Sequence, residues 1–115
     1  MAEKSNGHNG WRVSVALATY NGERYLRQQI DSLLSQDYPI YEIIICDDLS
    51  SDGTLKVLDE FDSELITVYP NSTNLGYIKN FEKACGLCSG EIIALCDQDD
   101  IWESNKLSTL VDQIK

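Results

Sequence analysis

The chain has 115 residues, 43% of them hydrophobic and 24% charged, a balance that suits one globular domain with its own core. Asp and Glu number 19 against 9 Lys and Arg, a formal net charge of -10, which opposes nucleic-acid phosphates and argues against a nucleic-acid partner. No run approaches the roughly 20 apolar residues of a membrane helix, and the polar start carries no apolar signal core.

Residues 1–10 read as a disordered lead, which sets His8, the one histidine, apart from any chemistry. Residues 11–115 read as a single unit without repeat, low-complexity tract or linker. Val13-Ser-Val-Ala-Leu-Ala18 is a buried strand running into the turn Thr19-Tyr-Asn-Gly22. Leu26, Ile30, Leu33 and Leu34 then mark one helical face, with Asn21 as its N-cap and Pro39 beyond its end. Tyr41-Glu-Ile-Ile-Ile-Cys46 is a second strand, stopped by Asp47-Asp48. A helix capped by Asp52 follows and turns Leu55, Leu58 and Phe61 inward. Leu65-Ile-Thr-Val-Tyr69 is a third strand, broken by Pro70-Asn71, and Ile78, Phe81 and Cys85 predict the next helical face. Glu91-Ile-Ile-Ala-Leu-Cys96 is a fourth strand ending at Asp97-Gln-Asp-Asp100, and Leu107, Leu110, Val111 and Ile114 mark a last helix.

Four strand–helix units in succession predict an α/β fold, a mainly parallel sheet with helices on both faces. Its strands are continuously apolar because both sides are covered. Such sheets bind ligands at the carboxyl ends of their strands. The polar clusters Thr19–Gly22, Asp47-Asp48, Asn71–Asn74 and Asp97–Asp100 stand at those ends.

The cluster Asp97-Gln98-Asp99-Asp100 brings three carboxylates within four residues. Charges so close repel unless a cation neutralises them, and oxygen-only ligands favour Mg2+ or Mn2+. The alternative is a helix-capping acidic loop ahead of Trp102. In the segment after the second strand, Asp48, Ser50, Asp52, Gly53 and Asp59 also fall at EF-hand calcium positions 1, 3, 5, 6 and 12. The β-branched run Ile43–Ile45 before them, and Asp in place of Glu at position 12, argue against calcium. Cys46 and Cys96 read as small core hydrophobes. Cys85 and Cys88 are spaced as C-x-x-C but lack the second pair a zinc site needs, and they close a helix rather than open one as a redox motif does.

In these segments the sequence resembles the family 2 glycosyltransferases, which have the GT-A fold. The opening strand and loop from Val13 through Leu26, the segment Ile45-Cys-Asp-Asp-Leu-Ser-Ser-Asp-Gly-Thr54, the stretch from Asn74-Leu-Gly76 to Asn80 and the run from Gly90 to Trp102 each match a family motif, in order. The resemblance implies a Rossmann-like nucleotide-sugar-binding half over 11–115, with the polypeptide truncated ahead of the acceptor half. It implies that Ala18, Thr19 and Tyr20 cradle the base, with Glu23 nearby, and that Asp48 bonds the base. Asn80 and Gln98 join the substrate-binding set. Asp97 and Asp99 become the D-x-D pair, with Asp99 on the metal and Asp97 towards the ribose or a metal-bound water. The implied donor is a uridine or thymidine diphosphate sugar, the acceptor a saccharide or lipid-linked hydroxyl, and the outcome inversion. No catalytic base is assigned, because in the family it lies well beyond the D-x-D motif. Bacterial surface-polysaccharide synthesis, a cytoplasmic location and peripheral membrane association complete the expectation.

Two other functions fit an acidic strand–helix repeat. A phosphoacceptor signalling domain would carry its acidic pair after the first strand and its acceptor Asp after the third, whereas here the clusters follow the second and fourth. A non-catalytic nucleotide-binding fragment is the other.

Overall fold

The computed structural model describes residues 10–114. Apart from Gly10, the expected disordered lead lies outside the described residues. The elements are β1 (Val13–Thr19), α1 (Glu23–Leu34), β2 (Ile40–Asp47), α2 (Thr54–Asp59), β3 (Ile66–Pro70), α3 (Tyr77–Leu87), β4 (Ile92–Cys96) and α4 (Lys106–Ile114). The four strands form one parallel sheet in the order β3-β2-β1-β4. The chain leaves β1 in one direction for β2 and β3 and returns on its other side for β4, so the strand order reverses beside β1.

Every residue of β1 is buried. Its side chains alternate between two cores, as strand geometry requires. Val13, Val15 and Leu17, with Ile43, Ile45, Ala94 and Cys96, pack against α1, α2 and α4. Ala16, Ile44 and Cys46 pack against Ala84 of α3 on the opposite face. At about 1.5–3 kcal/mol for each large aliphatic side chain buried, the first core carries most of the hydrophobic stabilisation. Helices therefore cover both faces, as the sequence predicts, three on one side and α3 on the other.

Several predicted details differ. In α1 the buried set is Leu26, Gln29, Ile30 and Leu33, while Leu34 is exposed. Asn21 does not cap α1: the capping position is Gly22, and Asn21 sits at φ 50 with its amide oxygen turned to Ser51 and Asp52. In α2, Thr54, Val57 and Leu58 are buried and Leu55 points out. Phe61, beyond the helix end, still packs on the core. In α3 the buried residues are Asn80 and Ala84, and Ile78 is 69% exposed. This helix sits tightly on β1 and β2, where a small side chain fits and Asn80 can donate to the Cys46 carbonyl at 2.8 Å. Leu110 and Ile114 of α4 are exposed while Leu107 and Val111 are buried. Pro70 ends β3 from within, opposite Asp47; β3 is an edge strand, and a missing N–H is tolerated there.

Candidate functional site

The four loops that leave the carboxyl ends of the strands are tied into a ring. The β1 loop is joined to the β2 loop by Asn21 N–H on Ser50 Oγ at 2.8 Å, Ser51 N–H on Asn21 Oδ1 at 2.8 Å and Gly53 N–H on Glu23 Oε1 at 2.9 Å. Asp48, just after β2, accepts the N–H groups of Leu75 at 2.7 Å and Gly76 at 3.0 Å, which fastens the β2 loop to the β3 loop. The Tyr77 hydroxyl donates to Asp97 Oδ1, linking the start of α3 to the acidic loop. Tyr20 N–H donates to Gln98 Oε1 at 2.6 Å and closes the ring. The bare Cα of Gly22 leaves room for that contact, since a Cβ there would stand 3.0 Å from the Gln98 side chain, which would have to shift slightly.

Inside the ring lies an open cavity of about 710 Å³, lined by Ala18, Thr19, Tyr20, Asp48, Gly76, Tyr77, Asn80, Asp97, Gln98 and Asp100. A site of this volume, at the carboxyl ends of β1, β2 and β4 and beside the reversal of strand order, is where ligands of such sheets bind. Seven of the expected residues border it: Ala18, Thr19, Tyr20, Asp48, Asn80, Asp97 and Gln98. Glu23 does not, its carboxylate being engaged by Gly53 N–H, and neither does Asp99, which occupies a left-handed conformation at φ 77. Gly76 and Asp100, named from the sequence only as members of a motif and of the acidic cluster, also border it, and so does Tyr77, which was not named. The motif Asn74-Leu-Gly76 carried the one available signal, a glycine directly ahead of a helix. Gly76 stands at φ 89, a backbone conformation that favours glycine.

The floor of the site is a buried polar network. Asn71 Nδ2 donates to Asp48 Oδ1 at 3.0 Å and to Asn80 Oδ1 at 2.8 Å, and Lys83 Nζ donates to Asn71 Oδ1 at 2.6 Å. Asn74 Nδ2 reaches the Asp48 carbonyl at 2.5 Å. Burial alone would push the Asp48 carboxyl up, but donation from Leu75, Asn71, Gly76 and Asn74 outweighs it and holds the carboxyl below the usual carboxylate value. The left-handed conformation of Leu49, at φ 62, follows directly after this anchored aspartate. Asp47 is likewise fully buried, accepting from Thr19 Oγ1 at 2.6 Å and from Ser50 N and Oγ.

The acidic loop is fixed from below by α1. Buried Gln29 donates to the Asp97 carbonyl at 2.5 Å, and Ser32 Oγ accepts Trp102 N–H at 3.1 Å. Gln36 donates to the Glu103 carbonyl at 2.7 Å and accepts Leu107 N–H at 3.0 Å. Gln29 and Ser32 of the helix, with Gln36 just past its end, thus hold the two ends of the acidic loop, whose Asp97, Asp99 and Asp100 side chains are exposed. Among the described residues no three His, Cys, Asp or Glu side chains converge as a ready metal cage. The donor set is instead all-oxygen and partial, which fits Mg2+ or Mn2+, ions commonly held by one or two carboxylates with the remaining positions filled by substrate phosphates and water.

The four cysteines are free. Cys85 and Cys88 pack against the smaller core beneath α3, and burial pushes the Cys88 thiol up to about 11 and the Cys96 thiol to about 12. Thiols so raised are poor nucleophiles at neutral pH. The segment considered for calcium is preceded by β2 and not by a helix, and Asp48 and Asp52 are turned to different donors, Asp48 to Leu75 and Gly76 and Asp52 to Thr54.

Comparison with known proteins agrees with this geometry. The model of glycosyl transferase family 2 matches residues 14–115. A UDP-Glc:alpha-D-GlcNAc-diphosphoundecaprenol beta-1,3-glucosyltransferase of Escherichia coli, WfgD, is 38% identical over 95 residues, covering 83% of this chain and 38% of that protein. The dTDP-rhamnosyl transferase RfbG of Shigella flexneri is 36% identical over 103 residues, covering 84% of this chain and 36% of that protein. The crystal structure of S. aureus TarS 1-349 in complex with UDP-GlcNAc superposes with a TM-score of 0.82 at 31% identity, over 90% of this chain and 31% of that one. The mannosyltransferase PcManGT from Pyrobaculum calidifontis, in complex with GDP-Man and Mn2+, gives 0.77 at 25% identity, over 96% of this chain and 34% of that one. The chain thus spans little more than a third of the relatives it matches. The parallel sheet with its flanking helices shares the fold of these GT-A glycosyltransferases. The family match leaves no room for the phosphoacceptor signalling alternative, and the chain belongs to glycosyl transferase family 2.

Proposed function

We propose that this chain is the donor-binding part of an inverting, metal-assisted glycosyltransferase. It takes a sugar from a uridine or thymidine diphosphate donor to a hydroxyl of a saccharide or lipid-linked acceptor, in bacterial surface-polysaccharide synthesis. The observation that carries the reading is the cavity, which joins the base-side residues Ala18, Thr19, Tyr20 and Asp48 to the carboxylates Asp97 and Asp100 in one space. The names of the relatives fit: WfgD is a UDP-Glc enzyme, RfbG a dTDP-rhamnosyl enzyme, and TarS was crystallised with UDP-GlcNAc.

Each group has a task in this reading. The half-exposed ring of Tyr20 stacks on the base, a contact that contributes about 1–3 kcal/mol where it has been measured for other aromatic–base pairs. Asp48 takes a base N–H. Its Oδ2 accepts one internal hydrogen bond, from Gly76, and a carboxylate oxygen has room for two acceptor contacts. Asp97 and Asp99 hold the cation against the diphosphate, with Asp100 as a third carboxylate beside them. Bound there, Mg2+ or Mn2+ supplies charge neutralisation for the departing diphosphate. The acceptor oxygen forms its bond to the anomeric carbon as the carbon–phosphate oxygen bond breaks, and its proton passes to a base. No residue of this chain is assigned as that base. We place the protein in the cytoplasm, at the membrane face when its acceptor is lipid-linked.

Because the chain spans about a third of its relatives, binding without turnover is the second reading for these 115 residues. Calorimetric titration of UDP, dTDP and GDP with Mn2+, and again with EDTA, tests the proposal. Metal-dependent binding of one of the three is expected. Equal affinity with and without metal would reduce the acidic loop to a solvated cap.

A further inference from the structure

Tyr77 stands at a junction that the donor-binding reading leaves unused. It is the first residue of α3, borders the cavity, and donates its hydroxyl to Asp97. Of the links that close the ring of loops, this one alone among the described residues ends on a carboxylate assigned to the cation. Its ring is 61% exposed and rests edge-on against Phe81, with centroids 5.3 Å apart and planes at 88°. Little buried surface therefore resists its rotation. The backbone beneath it is fixed, because Gly76 N–H is anchored on Asp48 Oδ2 and Asn80 on the Cys46 carbonyl. Any movement of the hydroxyl must come from the side chain and not from a shift of α3.

A cation on Asp97 opposes the phenol's hydrogen bond there, because it draws on the same carboxylate charge and repels the hydroxyl hydrogen. A diphosphate brought against Asp97 presents strong acceptor oxygens at the place the hydroxyl must leave. We propose that Tyr77 is a donor-positioning residue: its hydroxyl holds Asp97 until the donor arrives, then passes to a diphosphate oxygen as a divalent cation takes Asp97. The hydroxyl trades one anionic acceptor for another without losing its proton. This inference rests on the donor-binding reading above.

The exchange makes a prediction of opposite sign for two affinities, which a merely structural role would not. In Tyr77→Phe, Mn2+ binding to the chain without nucleotide, followed by electron paramagnetic resonance titration, should tighten about fivefold, because the competitor is gone. UDP binding at saturating Mn2+, followed by calorimetry, should weaken by about five- to tenfold, because the diphosphate loses a donor. Phe81→Leu keeps the hydroxyl and should leave Mn2+ binding unchanged, and circular dichroism checks that both variants fold. In chain labelled with 13C at the tyrosine ring, Mg2+ with UDP should shift the Tyr77 signal. Affinities that move together or not at all, or a Tyr77 signal that stays put while UDP binds, would overturn the assignment to Tyr77 alone. A chain that binds no Mn2+ and no UDP would overturn the donor reading and this inference with it.

Discussion

Glu23 and Asp52 hold the beginnings of each other's helices: Glu23 Oε1 accepts Gly53 N–H at 2.9 Å, and Asp52 Oδ2 accepts Glu23 N–H at 3.3 Å. Gly22 N–H adds a third strut, donating to Thr54 Oγ1 at 2.9 Å, while Asp52 Oδ1 takes Thr54 N–H at 3.0 Å. The first turn of α1 thus finds its carboxylate partner across a loop boundary, and the start of α2 finds one across it and a second in Asp52 just ahead. Negative charge at two helix starts is favourable in both places.

Removing either cap should lower stability by about 1 kcal/mol, with Asp52→Ala the costlier because it serves both helices. Since the two residues support one clasp, their effects should not add: the double variant should lose less than the sum of the single variants. Urea denaturation of the four proteins in a double-mutant cycle measures this. Strict additivity would mean that each caps independently.

Asp48 should make the chain acid-sensitive. Its carboxyl titrates lower in the folded chain than in the unfolded one, where the usual value is about 3.9. Its contribution to stability is therefore present above the unfolded value and is lost as the pH falls through the folded one. Asp48→Asn, which gives up charged hydrogen bonds from Leu75 and Gly76, should cost about 2 kcal/mol at pH 7. The gap to the unmutated chain should be flat down to about pH 5 and should narrow below pH 4. Urea midpoints measured across that range check it.

The three carboxylates of the acidic loop should separate by role. Asp99→Ala should abolish the metal requirement of nucleotide binding and weaken it about a hundredfold, since the repulsion a cation relieves is a few kcal/mol at an effective dielectric near 20. Asp97→Ala should do the same. Asp100→Asn should have a smaller effect, despite bordering the cavity, if it stabilises the loop and not the cation. Titrations with Mn2+ and with EDTA rank the three. A larger loss for Asp100→Asn than for Asp99→Ala would move the ligand assignment one residue along.

The strands were the most legible part of this sequence. Ile43-Ile44-Ile45 can be continuously apolar only where both faces of the sheet are covered, and all three are buried. The polar clusters at the strand ends likewise marked where the cavity would lie. The helix faces were less legible, and α3 gives the reason. Counting apolar residues selected Ile78, Phe81 and Cys85, but close packing on β1 and β2 selected for small size at Ala84 and for hydrogen bonding at Asn80. The chain of contacts from Lys83 through Asn71 to Asp48 was not legible at all. Its members lie in different elements and are joined only by the folded register, and a lysine on a helix reads as surface until its partner is known.

Apart from Gly10 ahead of β1, the left-handed residues among those described are Asn21, Leu49, Gly76 and Asp99, one in each loop after a strand. For a non-glycine residue that conformation costs roughly 1–2 kcal/mol, and here the cost is met when the sheet folds. A ligand entering the cavity consequently meets loops whose conformational freedom has already been removed, and little of its binding energy goes into ordering them. Association should be rapid and accompanied by a small entropy penalty from the backbone, with adaptation confined to side chains. A rim built this way can alter its preference among ligands by exchanging single side chains, while the path of the chain around the site stays the same.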